Sequence, residues 1–282
     1  KKYGLGYDRV MSIALQIECR GDNIVKLDTG KKSISPIGQK ETHEFLSALN
    51  DFYRTSRFND FFNTHTDIYE LGLQVFNDSV MAHFDQEWYT RFYGTPPAEQ
   101  FRIIIGFTNG PCNYGPSRKL TGQPKEVFAI MNYAVDDNER PIFYKKVVET
   151  VVHEFCHSFT KIKGDTEKAL EKSGKALQEY TYFSMRRQAY STWRNILEES
   201  LVRAATICYL IDHDYDEKDI RNAIIEQVDR NFFWMPELVQ TLRYYESHRK
   251  KYPTFTSFYP EIIRFFDRYV TNMEKEMKKA MK

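Results

Sequence analysis

Glycine is absent from this 282-residue chain after Gly174, and six of its ten prolines fall between Pro96 and Pro141. With so few breakers, roughly the last hundred residues are free to be almost wholly helical, and turns and strands are expected in the first half. Cysteine is sparse as well. Cys19, Cys112, Cys156 and Cys208 contain no C-x-x-C pair, which excludes a zinc knuckle and a disulfide framework but leaves room for one bridge. The longest apolar run, Phe101 to Phe107, is far too short to cross a bilayer, so no transmembrane segment is expected. Excess charge of either sign is also missing. A formal net charge of +1 provides no global field, and nucleic acid is not an expected partner. The lysines that interleave with Met273, Met277 and Met281 read as a solvated terminal helix. The opening Lys1-Lys2-Tyr3, without Met, is expected of a trimmed product in which a removed signal peptide would leave no trace.

What is present is an ordinary globular balance, 41% hydrophobic and 28% charged, with aromatics raised to 15%. Those rings are expected mainly in the core. Val10, Ile13, Ala14 and Ile17 recur at helical spacing after Asp8, a possible N-cap. Residues 22–38 read as irregular or hairpin structure. Aromatics from Glu41 to Tyr93 fit two or three helices broken near Arg57 and His65. Phe101–Phe107 and Val127–Met131 are short, β-branched runs bounded by turn residues, and so read as strands. Pro141 is expected to open a helix reaching about Lys163. Further helices are predicted at Thr166–Arg187, Thr192–Tyr209, Glu217–Arg230, Pro236–Lys250 and Phe255–Lys279. The expected organisation is a single α+β domain over 1–282, mixed helix and small sheet over 1–140 and helical over 141–282.

The chemistry-bearing motif is His153-Glu154-Phe155-Cys156-His157, an H-E-x-x-H. Two histidines four apart lie one above the other on a helix, so their imidazoles can take adjacent corners of a zinc tetrahedron. Glu154 then stands beside the metal rather than on it. Val148, Val152, Phe155, Phe159 and Ile162 form one apolar stripe at 100° per residue, with both histidines nearly opposite. A cleft-lining helix needs that arrangement. Thr150 to Phe159 carries no charge besides the motif's own, so no lysine competes for Glu154. In a chain of this composition the motif arises by chance about one time in a hundred.

A catalytic zinc keeps three protein ligands and leaves the fourth position open. Ile162-Lys163-Gly164-Asp165 supplies no third histidine. A glutamate from the helix Trp193–Ala205, about 40 residues past His157, is expected instead, and periodicity leaves both Glu198 and Glu199 open because that helix is apolar on most sides.

The H-E-x-x-H-Ser158-Phe159 stretch with the downstream Glu199-Ser200-Leu201-Val202-Arg203-Ala204 resembles a family of secreted zincin-like proteins known only as a domain of unknown function. The loop Asn109-Gly110-Pro111-Cys112-Asn113-Tyr114-Gly115 after a strand is similar to that family too, and the likeness covers about residues 100–210. H-E-x-x-H is common to all zincins; the rest is moderately specific. The resemblance implies a gluzincin-like α+β fold, with a small sheet in the N-terminal half packed on the H-E-x-x-H helix. It puts the third-ligand role on Glu199 and Arg203 nearby. It also implies an extracytoplasmic location, whether secreted, periplasmic or lipid-anchored at the surface.

The expected function is therefore a Zn2+-dependent hydrolase acting on peptides or proteins, with metal ligands His153, His157 and Glu199 and with Glu154 as general base. Two imidazoles and one carboxylate leave zinc a formal local charge of about +1, enough to acidify water toward neutrality. Tyr114, Tyr190, Arg203 and His213 are candidates for a second electrophile. If Phe101–Phe107 borders the motif helix, an extended peptide could pair along its edge. The rival readings are a hydrolase of non-peptide amides or esters and a zinc-binding, catalytically silent extracytoplasmic binding protein. Cobalt, nickel or copper would also suit such ligands.

Overall fold

The computed structural model describes residues 7–110, 112–144 and 146–280, without the side chains of Tyr7 and Asp8. The opening residues 1–6, Pro111, Met281 and the capping role considered for Asp8 thus lie outside the described residues. The elements in chain order are α1 (Tyr7–Ala14), β1 (Ile17–Arg20), β2 (Asn23–Lys26), α2 (Gln39–Thr55), α3 (Phe58–Thr64), α4 (Thr66–Ser79), a 3-10 turn (Met81–His83), α5 (Trp88–Tyr93), β3 (Gln100–Ile105), β4 (Ser117–Lys119), β5 (Lys125–Met131), β6 (Ala134–Val135), β7 (Pro141–Ile142), α6 (Lys146–Cys156), α7 (Asp165–Tyr180), α8 (Tyr182–Arg187), α9 (Trp193–Asp212), α10 (Glu217–Asp229), α11 (Met235–Ser247) and α12 (Phe255–Ala280). The class is α+β with small sheets. The chain forms two compact units, Lys1–Phe84 with Ala98–Phe155, and Asp85–Pro97 with Cys156–Lys282.

In the first unit β5 is the middle strand of a three-stranded sheet, parallel to β3 and antiparallel to β4. Its side chains from Glu126 to Met131 are all buried, whereas β3 alternates between exposed and half-buried. That is the pattern of a strand covered on both faces beside one at a sheet edge. Among the described residues β3 pairs with β5 alone. Glu126, 6% exposed, is held by Arg118 at 2.6 Å and Arg102 at 3.1 Å from the flanking strands. Arg118 above all keeps its carboxyl below the usual range, against the opposing effect of burial.

Several boundaries differ from expectation. The first helix ends at Ala14, and Ile17 starts a hairpin with register Ile17↔Lys26. The stretch from Glu41 to Tyr93 holds four helices rather than two or three, interrupted at Arg57 (φ 50°) and His65 as the aromatic spacing suggested. Pro141 opens no helix. It pairs with Val135 in a short hairpin whose turn is fixed by Asp136, a carboxylate accepting the backbone N–H groups of Asn138 (2.8 Å) and Arg140 (2.9 Å). The helix expected over Thr166–Arg187 divides at Thr181, whose buried hydroxyl donates to the Leu177 carbonyl at 2.7 Å.

The second unit is built around α9, which packs on α7, α10 and α11, while α12 covers α7 and α11. From Ile196 to Leu210 nearly every α9 residue is buried. Gly174 on α7 allows the close approach, since a Cβ there would stand 2.5 Å from Cε3 of Trp193. At the far end of α9, Asp212 accepts the Trp88 indole N–H (2.8 Å) and an Arg243 bond, and Arg243 also reaches Glu246 at 2.6 Å. Burial, and then the Asp212 carboxylate, push Glu246 up to about 8, and Arg243 opposes them only in part. All four cysteines are free thiols, and burial drives Cys156 up to about 12.

The Glu246 shift has a definite sign. The folded chain holds this proton more tightly than the unfolded one, so the stabilisation is complete below the ordinary carboxyl range and is lost as pH rises through about 8. Glu246→Gln keeps the shape without the titration. Its thermal midpoint should fall less than that of the parent between about pH 6 and 9; parallel midpoint curves would contradict the assignment.

Candidate metal centre

Valine anchors α6. Val148, Val151 and Val152 are 0% exposed and Phe155 1%, each such burial contributing roughly 1.5–3 kcal/mol. The Phe155 ring stacks on Phe101 of β3 at 4.1 Å and 2°. This packing sets the helix phase and leaves His153 and Glu154 on a half-buried side. The apolar stripe is therefore real as far as Phe155, but the helix stops at Cys156 instead of near Lys163.

The stop has a local cause. Phe159 N–H and the Thr160 hydroxyl both donate to the Cys156 carbonyl, at 3.0 and 3.4 Å. Farther along, the Ile162 N–H goes to Oε1 of Glu198 at 2.8 Å. The other Glu198 oxygen pairs with Lys161 at 3.2 Å. Glu198 thus fastens the chain where it leaves the motif, and His157 occupies the first position of the turn.

Glu199, its neighbour on α9, is 6% exposed. Thr192 starts this helix by accepting the Asn195 N–H at 3.2 Å. One turn beyond Glu199 comes Arg203, whose Nη2 lies 2.8 Å from Glu199 Oε1. Glu199 Oε2 stands 3.6 Å from Nε2 of His157. One ligand atom from each of His153, His157 and Glu199 lies within 4.8 Å of the others, so the group could hold a metal ion. The 3.6 Å separation is too long for a hydrogen bond. It does suit two donors of one tetrahedral ion, which stand about 3.4 Å apart at ordinary zinc–ligand lengths. The residues present therefore fit a divalent cation.

Arg203 is nearly buried, with 11% of its side chain exposed. Beyond Glu199 it donates to the Tyr190 hydroxyl (3.0 Å) and to Gln227 Oε1 (2.5 Å), and its guanidinium lies 5.1 Å from the Phe232 ring centroid. Burial works against its charge, yet the Glu199 carboxylate and Tyr190 outweigh it and raise its pKa. Tyr190 is pushed up to about 12, by burial first and then by the Glu199 charge. Of the electrophile candidates, Tyr190 and Arg203 stand at the Glu199 carboxylate. Tyr114 packs on Leu15, Phe128 and Ile130, its backbone bridged to Ile130. His213 falls away from the site: it ends α9 about 14 residues and 21 Å of helix beyond Glu199, where it meets Asp85 at 3.1 Å.

Two contacts carry no signal in the sequence. Gln227 reads as a surface residue of α10 and is buried. Gly115 lies directly against the motif, since a Cβ there would fall 2.0 Å from Glu154 Oε2. No residue but glycine fits without moving the Glu154 carboxylate.

The chain matches, over residues 4–265, the family model described as Domain of unknown function (DUF4932). It belongs to that family. No curated protein and no solved structure matches it. For this DUF4932 protein the site must accordingly be argued from its own residues. Its two adjacent glutamates have separable tasks. Glu199→Gln should abolish metal retention measured by elemental analysis. Glu198→Gln should retain metal and cost about 1–3 kcal/mol in denaturant unfolding. Metal loss with Glu198→Gln alone would reverse the assignment. Arg203→Met should lower metal affinity about 10- to 100-fold in a chelator competition; an unchanged affinity would mean that the guanidinium does not orient Glu199.

Proposed function

We propose that this DUF4932 protein is a zinc-dependent hydrolase of the zincin type, acting as a peptidase with His153, His157 and Glu199 as metal ligands. The observation that carries the reading is the approach of these three side chains to within 4.8 Å, beside a glutamate that is not one of them. Two imidazoles and one carboxylate are the ligand set of catalytic rather than structural zinc sites, which keep three protein ligands. When bound, the cation supplies Lewis acidity, making water more acidic and drawing electron density from a substrate carbonyl.

Glu154 is the general base. Its carboxylate accepts a proton from the attacking water and returns it to the leaving amine. Gly115 leaves room for that carboxylate, since a Cβ there would fall 2.0 Å from Oε2. Arg203 occupies one oxygen of Glu199 and so directs the other toward His157. Substrate placement is supported by β3, which touches α6 through the Phe101–Phe155 stack and keeps one edge without a strand partner among the described residues. An extended peptide can pair with such an edge. The extracytoplasmic location belongs to this same reading and rests on the family resemblance. No described helix is long and apolar enough to cross a membrane.

Metal analysis of purified protein, together with cleavage of a mixed peptide library with and without chelator, tests the proposal. One bound zinc per chain and chelator-sensitive cleavage are expected. Glu154→Gln should retain the metal while turnover drops about 10²- to 10⁴-fold. Gly115→Ala should also lower turnover without metal loss. Bound zinc with no cleavage of any peptide would instead favour a silent binding protein, and absence of both would end the hydrolase reading.

A further inference from the structure

A second polar constellation lies in the first unit. A cavity of about 660 Å3 is lined by residues of α1, the segment after β2, and β4. Four cations stand on its wall, Arg9, Lys31, Arg118 and Lys119, together with the Ser12 and Thr29 hydroxyls, and no carboxylate lines it. Arg9, Lys31 and Lys119 are exposed and form no ion pair among the described residues. Arg118 is built into the wall: its Nε donates to Glu126 at 2.6 Å and its Nη1 to the Leu15 carbonyl at 3.1 Å. Gln16, 8% exposed, ties the opposite side together, donating to the carbonyls of Ser12 (2.9 Å) and Ser35 (2.8 Å) and accepting the Ser35 N–H (3.0 Å). The hydroxyl oxygen of Thr29 is buried with no hydrogen-bond partner. A concave site with a spare hydroxyl and converging cations, three of which have no ion-pair partner among the described residues, is chemically suited to an anion.

Its place along the chain indicates which anion. Gly115 touches the Glu154 carboxylate, and Ser117, two residues on, already lines the cavity. Two residues span at most about 7 Å of chain, close to two residues of extended peptide at about 3.3 Å each. We propose that this cavity receives acidic side chains of a peptide substrate, so that the enzyme prefers carboxylates a few residues from the bond attacked. The inference rests on the peptidase reading for the word substrate. The binding site itself stands on the cavity.

The two can be tested apart. Fluorescent hexaglutamate is titrated into Glu154→Gln protein and followed by anisotropy, with hexaglutamine and inorganic phosphate as competitors. Hexaglutamate should bind and weaken with added salt, and hexaglutamine should not compete. The double variant Lys31→Gln/Lys119→Gln, at two exposed positions, should reduce affinity roughly fivefold or more. Equal binding by that variant, or competition by hexaglutamine, would overturn the proposal. Competition by phosphate at the same concentration as hexaglutamate would overturn it too, by making the ligand a small free anion. In library cleavage by the parent protein, indifference to acidic residues would remove the selectivity and leave the hydrolase standing. Charge-dependent hexaglutamate binding without cleavage of any peptide would support the cavity and remove the peptidase.

Discussion

The buried carboxylate of Glu199 is the constraint around which the rest of the candidate centre is arranged. An ionised carboxylate withdrawn from water is costly unless its oxygens are matched by charge or hydrogen bonds. Arg203 matches one oxygen, and Tyr190, Gln227 and Phe232 in turn hold Arg203. The second oxygen faces an imidazole across a gap too wide for a hydrogen bond. Removing Arg203 therefore disturbs more than one contact, because Tyr190 and Gln227 also lose their partner. The arrangement makes α9 both the core of its unit and the source of a candidate metal ligand.

Neighbouring glutamates on that helix show how finely position divides the work. Glu198 and Glu199 differ by about 100° around the axis. That rotation sends Glu198 to the backbone leaving the motif and Glu199 to the side of His157. The first holds the chain at Lys161 and Ile162, beyond the motif, and the second faces the His157 ring. Gly115 adds a steric condition on the other glutamate of the site, Glu154, by leaving space where any side chain would intrude. None of these roles depends on long-range charge, consistent with a chain whose formal net charge is +1.

Helices with strong apolar periodicity were legible before any coordinates. Glu217–Asp229, Met235–Ser247 and Phe255–Ala280 fall within a few residues of where spacing and prolines put them; α10 and α11 pack on α9, and α12 packs on α7 and α11. The failures share a cause. At Pro141, Cys156 and Thr181 the helix is prevented or ended by strand pairing or by local turn and hydroxyl bonds. Periodicity contains no information about such partners.

The sequence by itself placed His153 and Glu154 on a helix whose valine face is buried, because that face sets the helix phase, while in the fold His157 falls in the turn just past the helix end at Cys156. It also narrowed the remote carboxylate to two adjacent glutamates, the only carboxylates between Trp193 and Ala205. Periodicity could not choose between them; the family resemblance pointed to Glu199, and the fold brings Glu199 rather than Glu198 beside the two histidines. On a helix buried on nearly all sides no face is distinguished by hydrophobicity, and the choice fell to which glutamate met a guanidinium and an imidazole and which met a free backbone N–H. The same holds for Gly115 and for the basic cavity, whose residues come from segments far apart in the chain and acquire meaning only where the fold sets them side by side.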